Sequence, residues 1–320
     1  MKNSLFLLGA AAVVALSSCT KNEVLEVAEN RAIGFGNAFV GSPVRAAIND
    51  VADLQGGGFN VFGSFSTDNT YKGVFNDVAV TYSDSKWQSD KTEYWQNGKS
   101  YVFQAYSGTA TATPTEHGVE FTGYIASGDE DLLSANLVNK DGVDVTNPGT
   151  VDFTFRHVLS QIKFTFTNGF NGNVKLAISN VKINGLATTG NYTLSKLNTG
   201  TWGTLSGTSE YAPTISTKAF GASATAVTDP KIVLPQNVQD KTVTFDLVVS
   251  GSLDFKSQTI TVKLPNYPMA EGNVYNFITK LNAENIKDPE NPSQTLKPIE
   301  FTASVSEWSP EKSDGSGSVQ

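Results

Sequence analysis

Residues 151–166, VDFTFRHVLSQIKFTF, contain two runs in which apolar and polar side chains alternate. The first run puts its apolar side chains at odd-numbered positions, and the second puts them at even-numbered positions from Ile162 onward. Alternation with a period of two is typical of a half-buried β-strand, so the segment predicts two consecutive strands. Because the parity changes between them, we expect a β-bulge or a change of sheet near Ser160.

Strand patterns of the same kind recur at short intervals along most of the chain. In the clearest of them, residues 242–249, Val, Phe, Leu and Val alternate with Thr, Asp and Val. Asn-Gly and Asp-Gly pairs, which favour tight turns, occur at several positions between such runs. Few gaps leave room for a helix, and the three glycines at 56–58 are interpreted as a flexible linker. The sequence therefore predicts an all-β fold with antiparallel β-sandwich architecture.

The length of the chain favours two domains, because 320 residues exceed what one hydrophobic core usually supports. The change of parity places their junction near residue 158. We predict an N-terminal β-sandwich domain over 46–157, a C-terminal one over 158–308, and a mobile polar tail over 309–320. The net charge of −8 argues against nucleic acid as a partner, since its binding requires a basic surface.

The amino terminus has the pattern of a signal peptide. Residues 1–18 combine a Lys at position 2, an apolar run and small residues just before Cys19. The apolar run is too short to span a membrane as a helix. Because residues 16–19, LSSC, match a lipobox, we predict that Cys19, the single cysteine, is acylated after signal cleavage. The alternative is an ordinary signal peptide that is followed by a cysteine by chance.

A strand is predicted between this leader and the first domain. In residues 32–40, the apolar side chains of Ile33, Phe35 and Phe39 are expected to lie on one face of a half-buried strand. Gly and Pro within residues 41–45 interrupt any continuation of the strand. The strand is therefore expected to be joined to the domains through a short tether.

The chain also carries a series of short segments that are spread over most of its length. They are the leader ending SSC, the strand AIGFGNAFVG followed by PVRAA, KTEYWQNGKSYVFQAYS at 91–107, DLLSA at 131–135, VDFTFRHVLSQIKFTF at 151–166, TGNYTL at 189–194, VLPQ at 233–236 and the closing PIEFTASVSEW. Taken together, in this order, they resemble the fimbrillin family, the Mfa-like and type V pilin lipoproteins of gut and oral Gram-negative anaerobes. The resemblance implies two transthyretin-like antiparallel β-sandwich domains.

The resemblance also implies how such a subunit assembles. In that family a lipoprotein precursor reaches the cell outer membrane, and an arginine-specific protease then releases the first strand. Carried over by position, the scissile bond is Arg45-Ala46, and residues 19–45 form a lipidated propeptide with a removable strand. A neighbouring fimbrial subunit fills the emptied groove, and the terminal strand around residues 299–308, ending at Trp308, completes the next subunit. The expected product is a fimbrium on the cell surface that adheres to a host or bacterial receptor.

The distribution of arginine offers an independent check on this implied cleavage. The chain has only three arginines, Arg31, Arg45 and Arg156. Arg156 lies inside a predicted strand, where the backbone cannot adopt the extended, accessible shape that a protease needs. An arginine-specific protease could therefore remove the propeptide and spare the domains. A compositional preference for Lys explains the scarcity equally well, and cleavage after Arg31 would leave the strand attached.

The closing segment has the pattern of one more strand. Ile299, Phe301, Ala303 and Val305 alternate with polar residues and are predicted to form one apolar face. Such a strand could complete its own sheet or the sheet of another subunit. An ordinary internal strand would have the same pattern.

No catalytic, cofactor or metal site is predicted. The two histidines, His117 and His157, form neither a metal pair nor a triad signature, and His157 is interpreted as a core residue. The acidic residues at 129–131 and 141–144 lack the spacing of a calcium loop. The four tryptophans are too dispersed for a sugar-stacking platform. We therefore predict a shaft or tip pilin and not an enzyme; a surface glycan-binding lipoprotein of a nutrient-uptake system and a fimbrial anchor subunit are the alternatives.

Overall fold

The computed structural model describes residues 31–40, 48–67, 70–194, 200–288, 290–291 and 293–308. The predicted signal peptide, Cys19 and the predicted mobile tail lie outside these residues. In chain order the elements are β1 (Phe35–Val40), α1 (Ile48–Gly57), β2 (Phe59–Thr67), β3 (Thr70–Ser83), β4 (Lys86–Ser89), β5 (Ser100–Ser107), β6 (Ala112–Pro114), β7 (Val119–Ile125), β8 (Leu133–Ala135), β9 (Val138–Lys140), β10 (Val151–His157), β11 (Ser160–Asn168), β12 (Val174–Leu186), β13 (Thr189–Leu194), β14 (Gly200–Trp202), β15 (Ser209–Tyr211), β16 (Thr225–Val227), β17 (Lys231–Val233), β18 (Thr242–Gly251), β19 (Phe255–Lys263), β20 (Asn273–Leu281) and β21 (Thr302–Glu307).

The strands form four sheets around buried apolar clusters. An eight-stranded sheet has the order β2-β3-β4-β1-β10-β8-β5-β9, and β2 also pairs with β5, so the path of strands closes on itself. A four-stranded sheet, β15-β12-β18-β19, and a five-stranded sheet containing β16-β11-β20-β21 contribute to one common core. The remaining sheet has the order β14-β13-β7-β6. The all-β prediction is confirmed for the described residues, and the layered sheets are consistent with a β-sandwich.

Two strand pairings differ from the antiparallel architecture that the sequence predicts. β1 pairs with β10 in parallel, and β11 pairs with β20 in parallel. In both cases several other strands intervene along the chain, which leaves room for the long crossover that a parallel pair requires. Alternation of side chains does not reveal the direction of a partner strand, so the prediction was wrong at these two pairs.

The predicted change of sheet near Ser160 is confirmed. β10 ends at His157 in the eight-stranded sheet, and β11 begins at Ser160 in the five-stranded sheet. Between them, Val158 and Leu159 are fully buried in a third apolar cluster. The parity of the apolar residues changes because the two strands face different cores.

The two halves of the chain are joined by a shared sheet. One core cluster draws its residues from positions 33–155 and another from 162–301. The third cluster takes Phe121 from β7 and Tyr192 from β13, and these two strands pair in the same sheet. The division into domains over 46–157 and 158–308 stays a prediction, since strands from both sides of residue 158 hydrogen-bond to one another.

Helix α1 corrects the interpretation of the three glycines as a flexible linker. Gly56 and Gly57 form the end of the helix, and the amide of Gly58 donates a hydrogen bond to the carbonyl of Leu54 at 2.7 Å. Gly58 has a φ of +71°, the left-handed conformation that glycine adopts readily after a helix end. A linker interpretation overlooked this capping role.

Within the described ranges, no helix is long and apolar enough to span a membrane.

Gly58→Ala is expected to destabilise the protein by roughly 1–3 kcal/mol. A Cβ at Gly58 would lie 2.7 Å from the carbonyl oxygen of Val80, and its φ would be strained. The matched control is Gly57→Ala, because apart from adjacent residues and the backbone of α1 no described atom lies within 4 Å of the added Cβ there. That control is expected to leave stability unchanged or slightly raised. Urea denaturation followed by tryptophan fluorescence measures both, and equal losses in the two variants would contradict the assignment of Gly58.

Candidate functional site

Strand β1 occupies an interior position in the eight-stranded sheet. It lies between β4 and β10, pairing with β4 at Phe35 and Trp87 and with β10 along most of its length. Just before the strand, the amide of Ile33 donates to the carbonyl of Glu93 at 2.7 Å. Both edges of the amino-terminal strand are therefore engaged by the body of the protein.

The side chains of β1 are part of the core. Ile33 and Phe35 are 6% and 7% exposed, and Ala38 and Val40 are equally well buried. The ring centroid of Phe35 lies 6.0 Å from that of Phe59, 5.6 Å from that of Phe75 and 6.2 Å from that of Phe153. These three residues lie on β2, β3 and β10, respectively. Phe35 is thus the central apolar contact between this strand and the rest of the sheet.

Phe39 does not share the face of Ile33 and Phe35, so this part of the prediction was wrong. The pairing with β10 shifts between Phe35 and Ala38, which inserts one extra residue into β1. After the shift, Ala38 and Val40 take the buried positions and Phe39 is half-buried. At the bulge, the amide of Asn37 donates to Oδ1 of Asp152 at 2.7 Å. A single inserted residue reverses the parity of all that follow.

The connection from β1 to α1 carries the predicted cleavage site. Arg45 and Ala46 lie outside the described residues, and the described chain resumes at Ile48 with α1. A break in this connection would separate β1 from the rest of the chain without cutting any other element. β10 would then keep β8 as a neighbour on one side and expose its other edge. An exposed strand edge next to an apolar core is a template for another strand.

Arg31 and Arg156 are both engaged by the fold. The carbonyl of Arg31 accepts a hydrogen bond from the amide of Trp95 at 2.8 Å. In β10, Nη2 of Arg156 donates to the hydroxyl of Tyr192 at 2.9 Å, and its Nε lies 3.9 Å from Oε1 of Glu271. Burial raises the pKa of the Glu271 carboxyl, an effect that the Arg156 charge opposes, and raises the pKa of Tyr192 to about 12. Arg156 is therefore held in an interior strand, whose backbone is paired with neighbouring strands and is not accessible to a protease.

The predicted terminal strand corresponds to β21, which begins at Thr302 and not at Ile299. It lies at the edge of the five-stranded sheet and pairs antiparallel with β20. Phe301 is buried against Phe164, and Ile299 and Ala303 are partly buried against the same core. Val305 is 43% exposed, so the predicted apolar face does not continue to the end of the strand. An edge strand has only one neighbour, which leaves its outer end less covered than the interior strands.

Trp308 follows β21 and contacts the end of β10. Its amide donates to the carbonyl of Gly272 at 2.8 Å, and its indole stacks on His157 with centroids 4.2 Å apart and planes 6° apart. Nδ1 of His157 lies 2.6 Å from Oδ2 of Asp131. A cavity of about 350 Å³ is lined by His157, Asp131, Trp308 and Val40 together with neighbouring residues. The sequence carried no signal for this meeting of two distant strand ends.

The profile of the fimbrillin-like family matches residues 45–308. This chain belongs to the fimbrillin-like family. Membership places it among structural proteins of fimbriae, which are cell-surface appendages, and not among enzymes. The resemblance that the short sequence segments carry is confirmed.

Solved structures support the fold of this fimbrillin-like protein. A fimbrial protein from Bacteroides vulgatus ATCC 8482 is 14% identical, with a TM-score of 0.61 over 87% of this chain and 100% of that chain. A candidate cell adhesion protein from Bacteroides ovatus ATCC 8483 is 16% identical, with a TM-score of 0.50 over 87% of this chain and 96% of that chain. At these identities the similarity shows a shared fold. Among curated proteins, none matches the sequence.

Other polar groups that the sequence singled out have partners in this fimbrillin-like fold. Asp129 pairs with Lys231 at 2.6 Å, and Nε2 of His117 lies 2.8 Å from Oε1 of Glu116. Trp95 is buried in the core cluster that draws its residues from positions 33–155. Among the residues that the structure describes, no three His, Cys, Asp or Glu side chains are grouped as a metal site would require. The strand β1, its groove and β21 are therefore the features that best account for function.

Proposed function

We propose that this protein is a shaft or tip subunit of a fimbria and that it assembles by strand exchange after a protease removes residues 19–45. The observation that carries the proposal is the position of β1, an interior strand whose side chains fill the core. One connection, over residues 41–47, joins it to the rest of the fold and contains Arg45. Cleavage there would convert a closed sheet into an open groove.

The groove would be strongly attractive to an incoming strand. Full burial of a large apolar side chain contributes about 1.5–3 kcal/mol, and the removable segment buries Phe35 and Val40 in β1 and Ile33 just before it. Loss of β1 would expose the apolar side chains that contact them together with the unpaired edge of β10. Addition of a strand restores both the hydrogen bonds and the burial. Assembly is thus driven by the same interactions that hold the propeptide in the precursor.

Strand β21 is the proposed donor to the next subunit. Among the described strands, β20 is its only neighbour, and most of its own side chains are exposed. An edge strand of this kind leaves its sheet with less loss of buried surface than an interior strand. Ala303 and Val305 of β21, together with Phe301 just before it, would then enter the apolar groove of the partner, while Trp308 marks the end of the donated segment.

The proposal includes a membrane-attached precursor. Acylation of Cys19 would hold the uncut protein at the outer membrane, because each buried methylene contributes about 0.8 kcal/mol. Cleavage at Arg45-Ala46 would separate the folded subunit from that anchor and open the groove in one step. The subunit would then join a fimbrium whose surface contacts a host or bacterial receptor.

An arginine-specific protease is expected to trim the purified precursor to a single product that begins at Ala46. Arg156 stays uncut, because it is held in β10 by Ser134 of β8 and by Tyr192. Mass spectrometry gives the new terminus, and unheated gels are expected to show laddered multimers that collapse to one band on heating. A product that stays monomeric and retains residues 19–45 would refute the proposal. An uncut Arg45 in native material would indicate an anchor subunit instead.

A further inference from the structure

Strand β1, which is proposed to be removed, and strand β21, which is proposed to be donated, both end beside one cavity. β1 ends at Val40, which pairs with Phe155 of β10, and β21 is followed by Trp308, which stacks on His157 at the end of β10. Val40, Leu54 of α1 and Trp308 line one cavity of about 350 Å³. The strand to be removed and the strand to be donated therefore share a boundary.

His157 is rigidly placed at this boundary. Its backbone pairs with Leu133 of β8, and its Nδ1 lies 2.6 Å from Oδ2 of Asp131. The residue is 9% exposed, and among the residues that the structure describes its Nε2 has no hydrogen-bond partner. The Asp131 carboxylate thus holds the edge of the His157 imidazole. The face of the imidazole stacks on the Trp308 indole.

Trp308 is one of two anchors that hold β21. Phe301 is buried at the start of the strand, while the side chains of Thr302, Ser304 and Val305 between the two anchors are exposed. The stability of β21 in its own sheet therefore depends strongly on the contacts at its two ends.

We propose that the stack of Trp308 on His157 is a latch that keeps β21 in its own subunit while β1 is in place. This inference rests on the proposed function and adds a control step to it. Departure of β1 removes Val40 from the wall of the cavity and leaves the end of β10 with β8 alone. Water then reaches the stacked rings, whose contact depends on desolvation, and the outer end of β21 is released. Removal of the propeptide thereby frees the donor strand as well as the groove.

Hydrogen–deuterium exchange of the uncut full-length protein tests the latch. In His157→Ala and in Trp308→Leu, the amides of β21 are expected to exchange at least tenfold faster than in the unsubstituted protein. The control is His117→Ala, since His117 also pairs with a carboxylate but stacks on no tryptophan. Amides of β18 are expected to stay protected in all three variants. Unchanged exchange of β21 in Trp308→Leu would overturn the latch, even if His157→Ala failed to fold.

Coupling between the two strands is tested with two substitutions in β1 and its approach. Val40→Ala and Ile33→Ala both remove buried methyl groups from the same core cluster, but only Val40 lines the cavity with Trp308. Val40→Ala is expected to speed exchange of β21 and to act non-additively with Trp308→Leu, whereas Ile33→Ala should act additively. Equal effects of the two alanine variants on β21 would overturn the coupling.

Two combinations of results separate failure of the latch from failure of assembly by strand exchange. Multimers that form after protease treatment, with β21 exchange unchanged in Val40→Ala and Trp308→Leu, would overturn the latch and leave strand exchange intact. Faster exchange of β21 in those variants, with no multimers after removal of residues 19–45, would support the coupling of the strand ends and refute assembly by exchange.

Discussion

Phe35→Ala is expected to lower the free energy of unfolding of the precursor by about 3–5 kcal/mol. The ring of Phe35 is 7% exposed and lies within 6.2 Å, centroid to centroid, of the rings of Phe59, Phe75 and Phe153. Truncation removes its apolar burial and leaves a cavity among these three rings. Urea denaturation of the uncut protein measures the loss.

Phe39→Ala is the matched control for this prediction. It makes the same chemical change four residues along the same strand, but Phe39 is half-buried on the other side of the bulge. Its loss is expected to be about 1 kcal/mol, near the average for a point substitution. Equal losses in the two variants would mean that the bulge is absent and that both rings face the core.

Weaker binding of β1 also has a consequence for assembly. After cleavage, the propeptide of Phe35→Ala is expected to dissociate sooner, so multimers should form faster than with the unsubstituted protein. A time course of laddered bands after addition of the protease measures this rate. A slower or unchanged rate would argue that departure of β1 does not limit assembly.

Arg45→Lys is expected to abolish processing and multimer formation by an arginine-specific protease. The substitution keeps the positive charge, and Arg45 lies outside the residues that the structure describes. Lys and Arg are not interchangeable in a pocket that is built for a guanidinium group. The expected result is a full-length band that retains residues 19–45, with no ladder on unheated gels.

Arg31→Lys provides the control for this second experiment. Arg31 precedes the strand, and its carbonyl is hydrogen-bonded to Trp95, so its replacement is expected to leave processing and the ladder normal. If Arg31→Lys stopped assembly and Arg45→Lys did not, cleavage would lie before β1. The strand would then remain attached, and the proposal of strand removal would fail.

Local patterns were sufficient to find the strands that form the candidate site. Alternation identified β10 and β11 and the change of sheet between them, and it placed Ile33 and Phe35 on a buried face. It did not identify the parity change at Phe39, because a bulge depends on how one strand fits its neighbour. At Gly36 a Cβ would collide with Thr150 and Asp152, residues that are far away in the chain.

The amino-acid sequence by itself determined the all-β class, the family and the positions of most strands. Successive side chains of a half-buried strand alternate between core and solvent, so the pattern is visible within each short segment. Only the tertiary structure decided that β1 pairs in parallel with β10, that one sheet joins both halves of the chain, and that Trp308 meets His157 beside Val40. These features depend on contacts between segments far apart in the chain. The alternation of side chains within one segment does not identify the segment that it contacts.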